Sequence, residues 1–259
     1  MAINAGEPRI RRTACGVPAM TVSPSLPPFA RSALLLDVDG TLLDFAPTPE
    51  SVSVPPGLID VLRGIRAALS DALGVVSGRP ISDLDRLLNK APFAVAGEHG
   101  GVLRHAPEAP EERPALPSPP SDWLEAAERA AAAQEGARVE RKARGFVLHY
   151  REAPEAGTEF GALMRSLIAQ SPGFEVLDGN MAWEIRPLGA DKGRAVAALM
   201  AKPPFSGRLP VFIGDDVTDY DGIREAKQMG GEGLLVADAF GGPAQVREWL
   251  SDVARTGGW

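Results

Sequence analysis

The stretch Ser32-Ala33-Leu34-Leu35-Leu36-Asp37-Val38-Asp39-Gly40-Thr41 decides how the rest of the chain is read. A short apolar run bounded by turn residues is the mark of a strand buried on both faces, as in a parallel sheet. This run ends in two carboxylates spaced two apart, followed by Gly and Thr. Ligands of open α/β sheets gather at the carboxyl ends of the strands. Asp37 and Asp39 therefore stand where such a sheet does its chemistry.

Downstream, helical spacing over Gly57–Leu69 and Pro80–Leu88 alternates with short apolar runs at Ala72–Val76 and Phe93–Ala96. Strand and helix in alternation predict right-handed crossovers and an open parallel sheet. The texture then changes. Residues 106–120, APEAPEERPALPSPP, read as an extended linker. Asp122, with Glu125 three residues on, predicts a capping box that opens a helix ending near Gly136. Arg138–Arg151 alternates like a strand pair around Gly145, Thr158–Gln170 is helical, and Asp178-Gly179-Asn180 sits between two strand-like runs as a hairpin turn. The first texture returns with a helix at Ala190–Met200, a strand at Leu209–Ile213, a helix at Val217–Gln228, a strand at Gly233–Ala237 and a helix at Pro243–Val253. The expected fold is an α/β doubly wound parallel core, residues 31–105 and 188–259, interrupted by an inserted α+β cap, residues 106–187.

Residues 1–30 carry Arg9, Arg11 and Arg12 among Gly, Pro and Ser, with no apolar stretch long enough for a signal peptide. They read as a disordered arm, or as sequence upstream of a true start at Met20. The 259 residues carry a formal charge of −7, which argues against a generally basic nucleic-acid surface. A single cysteine, Cys15, excludes an intrachain disulfide and fits a reducing compartment. No apolar run approaches the roughly 18 residues that span a bilayer. The expectation is a cytoplasmic monomer without membrane or nucleic-acid partners.

Four polar clusters fall at strand ends or helix starts: Asp37-Val38-Asp39-Gly40-Thr41, Ser77-Gly78-Arg79, Asp191-Lys192-Gly193, and Gly214-Asp215-Asp216-Val217-Thr218-Asp219. Taken singly, each has an ordinary alternative. Ser77 would cap the 80–88 helix, Asp215 or Asp216 the 217–228 helix, and Lys192 would be solvated. Together they point to phosphoryl transfer. Asp37, Asp39, Asp215, Asp216 and Asp219 set five carboxylates against Lys192, a set of hard oxygen donors suited to Mg²⁺. Asp37, at its strand end, is placed to take a phosphoryl group as an aspartyl phosphate. Asp39 is placed as acid and base, a role that calls for a carboxyl made less acidic by neighbouring charge. Thr41, Ser77 and Lys192 supply donors for phosphoryl oxygens.

On these motifs the chain resembles the haloacid dehalogenase superfamily of phosphatases. LLLDVDGTL, VVSGR, ADKG and IGDDVTD stand as its four motifs over essentially residues 32–250, and the inserted unit stands as its substrate-selecting cap. Gly97-Glu98-His99-Gly100, Val139-Glu140-Arg141-Lys142, His149-Tyr150-Arg151 and Glu184-Ile185-Arg186-Pro187 narrow the resemblance to the trehalose-6-phosphate phosphatases. The chain departs from that pattern at Tyr220, where the family usually carries an acid.

The resemblance implies that Glu140, Lys142 and Glu184 grip the sugar, that the substrate is a sugar phosphate, and that cap closure turns on hinges near 104–121 and 187–189. It links the chain to a trehalose-6-phosphate synthase by pathway logic alone. Alternation puts Glu140 and Lys142 on one face of a strand; without the resemblance they read equally as a solvated cross-strand pair. Glu98 and His99 line the cleft, or His99 satisfies a local backbone group. The same catalytic set would serve glucosylglycerol, mannosylglycerate or sucrose phosphate. A non-catalytic sugar-phosphate sensor would have no need of both Asp37 and Asp39, and a mutase would need a second cluster of bases for a second phosphate.

Overall fold

The computed structural model describes residues 26–46, 51–142 and 144–259. Cys15, Met20 and the arginines of the first segment lie outside the described residues. Two sheets organise the chain. The larger has six strands in the order β10-β9-β1-β2-β3-β4. Its members are β1 (Ser32–Leu36), β2 (Leu73–Val76), β3 (Ala94–Gly97), β4 (Val102–Arg104), β9 (Leu209–Gly214) and β10 (Glu232–Leu235). All neighbours pair in parallel except β3 and β4, which are antiparallel. β1 and β2 are buried along their whole length, as residues covered on both faces must be. Helices α1 (Leu58–Ala68) and α8 (Pro243–Thr256) pack together, as do α5 (Lys192–Met200) and α6 (Asp219–Gln228). α2 (Ile81–Leu88) lies against β3. Their apolar stripes close one core with the sheet.

The smaller sheet runs β5-β6-β8-β7 and is wholly antiparallel. Its strands are β5 (Arg138–Lys142), β6 (Gly145–His149), β7 (Phe174–Gly179) and β8 (Ala182–Pro187). Helices α3 (Ser121–Ala132) and α4 (Gly157–Ile168) cover one face. A second core forms there around Trp123, Phe146, Phe160, Met164 and Trp183. The other face looks across at the carboxyl ends of the larger sheet.

Several local expectations are corrected. β4 follows Gly100-Gly101 as a three-residue antiparallel edge, too short to show a period. The first part of the proline-rich segment stays with the larger sheet: Leu103 and Glu112 exchange backbone hydrogen bonds of 2.8 and 2.7 Å. α3 opens at Ser121 after Pro120, with no side-chain cap, so Asp122 does not cap it. The run expected as a strand over Gly233–Ala237 ends at Leu235 and continues as a short helix, α7 (Val236–Ala239). Residues 26–30, expected in the disordered arm, are ordered by packing. Leu26 and Phe29 lie on the core, and Phe29 meets the Trp259 ring edge-on at 4.7 Å.

Candidate active site

Strand order places the site. Leu36 pairs with Ile213 on one side and with Val75 on the other, so the residues leaving β9, β1 and β2 come out side by side. These are Asp215, Asp37 and Ser77, on strands about 4.8 Å apart. The Asp37 N–H donates to the Ile213 carbonyl at 2.9 Å. One strand further on, β3 delivers Glu98 and His99. Gly40 turns the chain away after Asp39 with φ +80°, and a Cβ there would lie 2.1 Å from Asp215 Oδ2. Only glycine meets both demands.

Lys192, the first residue of α5, sits buried at the centre. Its Nζ donates to Asp37 Oδ1 at 2.8 Å and to Asp219 Oδ1 at 2.6 Å. Asp219 Oδ2 in turn accepts from the N–H groups of Asp215 and Asp216, both at 3.0 Å. Carboxylate oxygens of Asp37, Asp215 and Asp219 lie within 4.8 Å of one another. Burial lifts the carboxyls of Asp37 and Asp219 to about 7 against the pull of Lys192. Burial and the charges of Asp219 and Asp216 lift Asp215 to about 6. Burial works against the Lys192 charge, but Asp37 and Asp219 outweigh it and hold the ammonium above its ordinary range. Three carboxyls that resist ionising together beside a single ammonium form a donor set that fits a hard divalent cation.

Asp39 and Asp216, expected among the metal ligands, stand outside that group of oxygens. Both oxygens of Asp39 accept from Arg79, at 2.6 Å from Nε and 2.7 Å from Nη2. Asp216 Oδ1 accepts from the Thr218 N–H at 2.8 Å and hydroxyl at 2.7 Å, a local turn ahead of α6, which starts at Asp219 with Thr218 in the cap position and no side-chain cap. Thr41 is fully buried beneath Asp215, its hydroxyl 3.4 Å from Asp215 Oδ1, and does not line the cavity. Ser77 and Lys192 do line it.

The cavity holds about 330 Å³ between the two sheets. One wall carries Asp37, Asp39, Ser77, Arg79, His99 and Lys192; the other carries Arg138, Glu140, Lys142, His149 and Glu184. Lys142 donates to Glu184 at 3.0 Å, and His149 Nε2 lies 2.8 Å from Glu140 Oε2. His99 Nε2 lies 3.6 Å from Glu184 and joins the walls. Its ring covers Gly78, where a Cβ would come within 2.7 Å of it. Burial lowers His99 to about 4, so the ring is neutral near pH 7. Burial opposes the charge of Glu184, but Lys142 and His99 outweigh it and hold the carboxyl below its usual range. Glu98, expected beside His99, does not line the cavity. Glu98 and His99 both take left-handed backbone, φ 52° and 55°, an uncommon pairing for residues other than glycine.

Arg79 and His149, quoted within motifs, and Arg138, named only as the start of a strand-like run, also line the cavity although the reading of the sequence assigned them no part. For Arg79 the signal was Ser77-Gly78-Arg79 at a strand end; its partner Asp39 lies 40 residues away.

The sequence profile of the family described as Trehalose-phosphatase matches residues 35–239. The chain belongs to the trehalose-phosphatase family. It is 39% identical over 225 residues to a probable trehalose-phosphate phosphatase of Sinorhizobium fredii, covering 85% of this chain and 82% of that one. It is 33% identical over 249 residues to the trehalose-6-phosphate phosphatase of Escherichia coli, covering 93% and 88%. In fold it is similar to the C-terminal domain of the C. albicans trehalose-6-phosphate phosphatase, with a TM-score of 0.74 at 21% identity over 87% and 92% of the two chains. The family match spans all four polar clusters and the whole of the smaller sheet.

Proposed function

We propose that this chain hydrolyses trehalose 6-phosphate to trehalose and phosphate. The observation that carries the reading is the shared cavity. In it Asp37 and the buried Lys192 on one wall face Lys142, Glu184, Glu140 and His149 on the other, an arrangement that supports a carboxylate nucleophile opposite a sugar-binding sheet face. Asp37 attacks phosphorus as the sugar C6 oxygen leaves, giving an aspartyl phosphate. Lys192 keeps the Asp37 carboxylate oriented and offers its charge to the phosphoryl oxygens, with Ser77 as a further donor. Asp39 gives its proton to the departing alkoxide. It then takes one from the water that attacks phosphorus, which breaks the bond to Asp37 and frees phosphate. Arg79 holds Asp39 from behind and must yield one carboxylate oxygen for that exchange.

Asp37, Asp215 and Asp219 would hold Mg²⁺, which when bound neutralises charge on the phosphoryl oxygens. Glu140, Lys142 and Glu184 would orient the sugar by charge-assisted hydrogen bonds to its hydroxyls. The paired charges keep these side chains fixed before substrate arrives, and closure against His99 excludes water.

Phosphate release from trehalose 6-phosphate, sucrose 6-phosphate, glucose 6-phosphate and p-nitrophenyl phosphate, with Mg²⁺ and with EDTA, tests the proposal. Preference for trehalose 6-phosphate that EDTA abolishes is expected. Preference for another sugar phosphate would keep the chemistry of the larger sheet and overturn the assignment of the sugar. A folded protein that turns over none of them with Mg²⁺ would overturn both.

A further inference from the structure

Five large apolar residues are left exposed among the described residues, and of these Phe45 alone lines the cavity. It is 62% exposed and takes no part in the core, although its neighbour Ala46 packs there. Single exposed apolar side chains are common. Small apolar residues (Ala46, Val52, Pro80 and Val147) line the cavity as well, but Phe45 is the one Phe, Tyr or Trp among the described residues that do.

Its place along the cavity can be read from the cap sheet. The β5–β6 register pairs Lys142 with Gly145 at one end and Arg138 with His149 at the other. The Lys142 end is joined to the catalytic wall through Glu184 and His99. Arg151, two residues past His149, extends from the opposite end, and its Nη1 donates to the carbonyl of Ala46 at 2.9 Å. Phe45 is thus tied to the cap end remote from Lys142, about 13 Å away along an extended strand. That span matches two linked sugar rings. A pyranose has hydroxyls at its edge and C–H bonds on its faces. The Lys142–Glu184 and Glu140–His149 pairs suit the edges, whereas a C–H face calls for an apolar ring.

We propose that Phe45 is the stacking platform for the sugar ring remote from the phosphate, and that Arg151 is the positioning residue that holds it there. The proposal rests on the substrate being a disaccharide phosphate. It makes Phe45 a determinant of disaccharide over monosaccharide, separate from the charged pairs.

The test is kcat/KM for trehalose 6-phosphate divided by kcat/KM for glucose 6-phosphate, in the parent, Phe45→Ala, Phe45→Trp, Arg151→Gln and the Phe45→Ala/Arg151→Gln double variant. Phe45→Ala is expected to lower the ratio about tenfold, through KM for the disaccharide, as loss of one stacking contact would. Phe45→Trp should restore it. Arg151→Gln should lower it in the same direction, and the double variant should be no worse than Phe45→Ala alone. Turnover of glucose 6-phosphate reports that each variant is folded. A Phe45→Ala ratio within twofold of the parent overturns the platform; additive losses in the double variant overturn the role of Arg151. Should the parent prefer sucrose 6-phosphate, the function proposed above fails while the same ratio, taken with that substrate, still decides Phe45. A parent inactive on both disaccharide phosphates overturns both.

Discussion

Strand β1 reads Ser-Ala-Leu-Leu-Leu and is buried at every position, whereas β5 reads Arg-Val-Glu-Arg-Lys and none of its residues is fully buried. In the larger sheet, side chains within the strands serve packing and the chemistry begins where the strands stop. In the smaller sheet, the strands themselves carry the polar groups. Val139 packs towards the helices and Arg141 binds Glu128 on α3, while Arg138, Glu140 and Lys142 line the cavity. A parallel sheet covered on both sides can offer only its ends, so its functional groups converge on one small spot. An antiparallel sheet open on one side offers an area, able to read a larger ligand along its length. The proposed chemistry and the proposed recognition are divided accordingly.

That division can be broken at several points. Asp37→Asn should abolish turnover of every phosphate ester, by about 10⁴-fold or more, because it removes a proposed nucleophile and not a sugar contact. Steady-state phosphate release on trehalose 6-phosphate and p-nitrophenyl phosphate reads this directly. Arg79→Lys replaces a two-pronged grip on Asp39 with a point charge and should lower kcat by about 10- to 100-fold on both substrates, with little change in KM. A loss confined to the disaccharide would place Arg79 with the sugar contacts instead.

Much of this was open to reading in the sequence. Apolar runs such as Leu34–Leu36 mark buried strands whatever the rest of the chain does. Clusters at strand ends fall together because parallel strands all deliver their carboxyl ends to one side. The α+β character of the cap followed from alternation around Gly145 and from the hairpin signal at Asp178-Gly179-Asn180, although β7 runs on through Gly179, which pairs with Ala182, and the turn itself falls at Asn180-Met181. What escaped depends on contacts distant in the chain. Nothing local to Arg79 names Asp39, and nothing near His99 names Glu184, 85 residues on. β4 and the Leu103–Glu112 pairing are too short for periodicity to reveal. Asp122 met the pattern of a cap, but the helix opens at Ser121 with Pro120 in the cap position, so Asp122 lies inside the first turn and not ahead of it.

Two smaller effects sharpen the comparison. His99 joins the two regions, and the folded protein keeps it neutral down to about pH 4. An unfolded chain takes up that proton near pH 6.5. Acid therefore favours the unfolded state between pH 6.5 and 4, by at most about 3 kcal/mol from this one group. Thermal melts across that window should show His99→Asn losing less stability on acidification than the parent. Equal slopes would remove His99 as the source.

Smallest is the difference between two aspartates at helix starts. Asp191 caps α5 by accepting from the Arg194 N–H at 2.8 Å, so Asp191→Ala should cost about 1 kcal/mol in denaturant unfolding. Asp122→Ala should change stability by less than about 0.5 kcal/mol. Equal losses would contradict the helix start described for α3.

The division of labour is tested most directly by setting Glu184→Gln beside Asp37→Asn and measuring kcat/KM of each on trehalose 6-phosphate and on p-nitrophenyl phosphate. The account predicts that Asp37→Asn is inactive on both. Glu184→Gln should lose about 10- to 100-fold on the disaccharide, the worth of a charge-assisted hydrogen bond, and far less on p-nitrophenyl phosphate. Equal losses on the two substrates in Glu184→Gln, or none on the disaccharide, would contradict it.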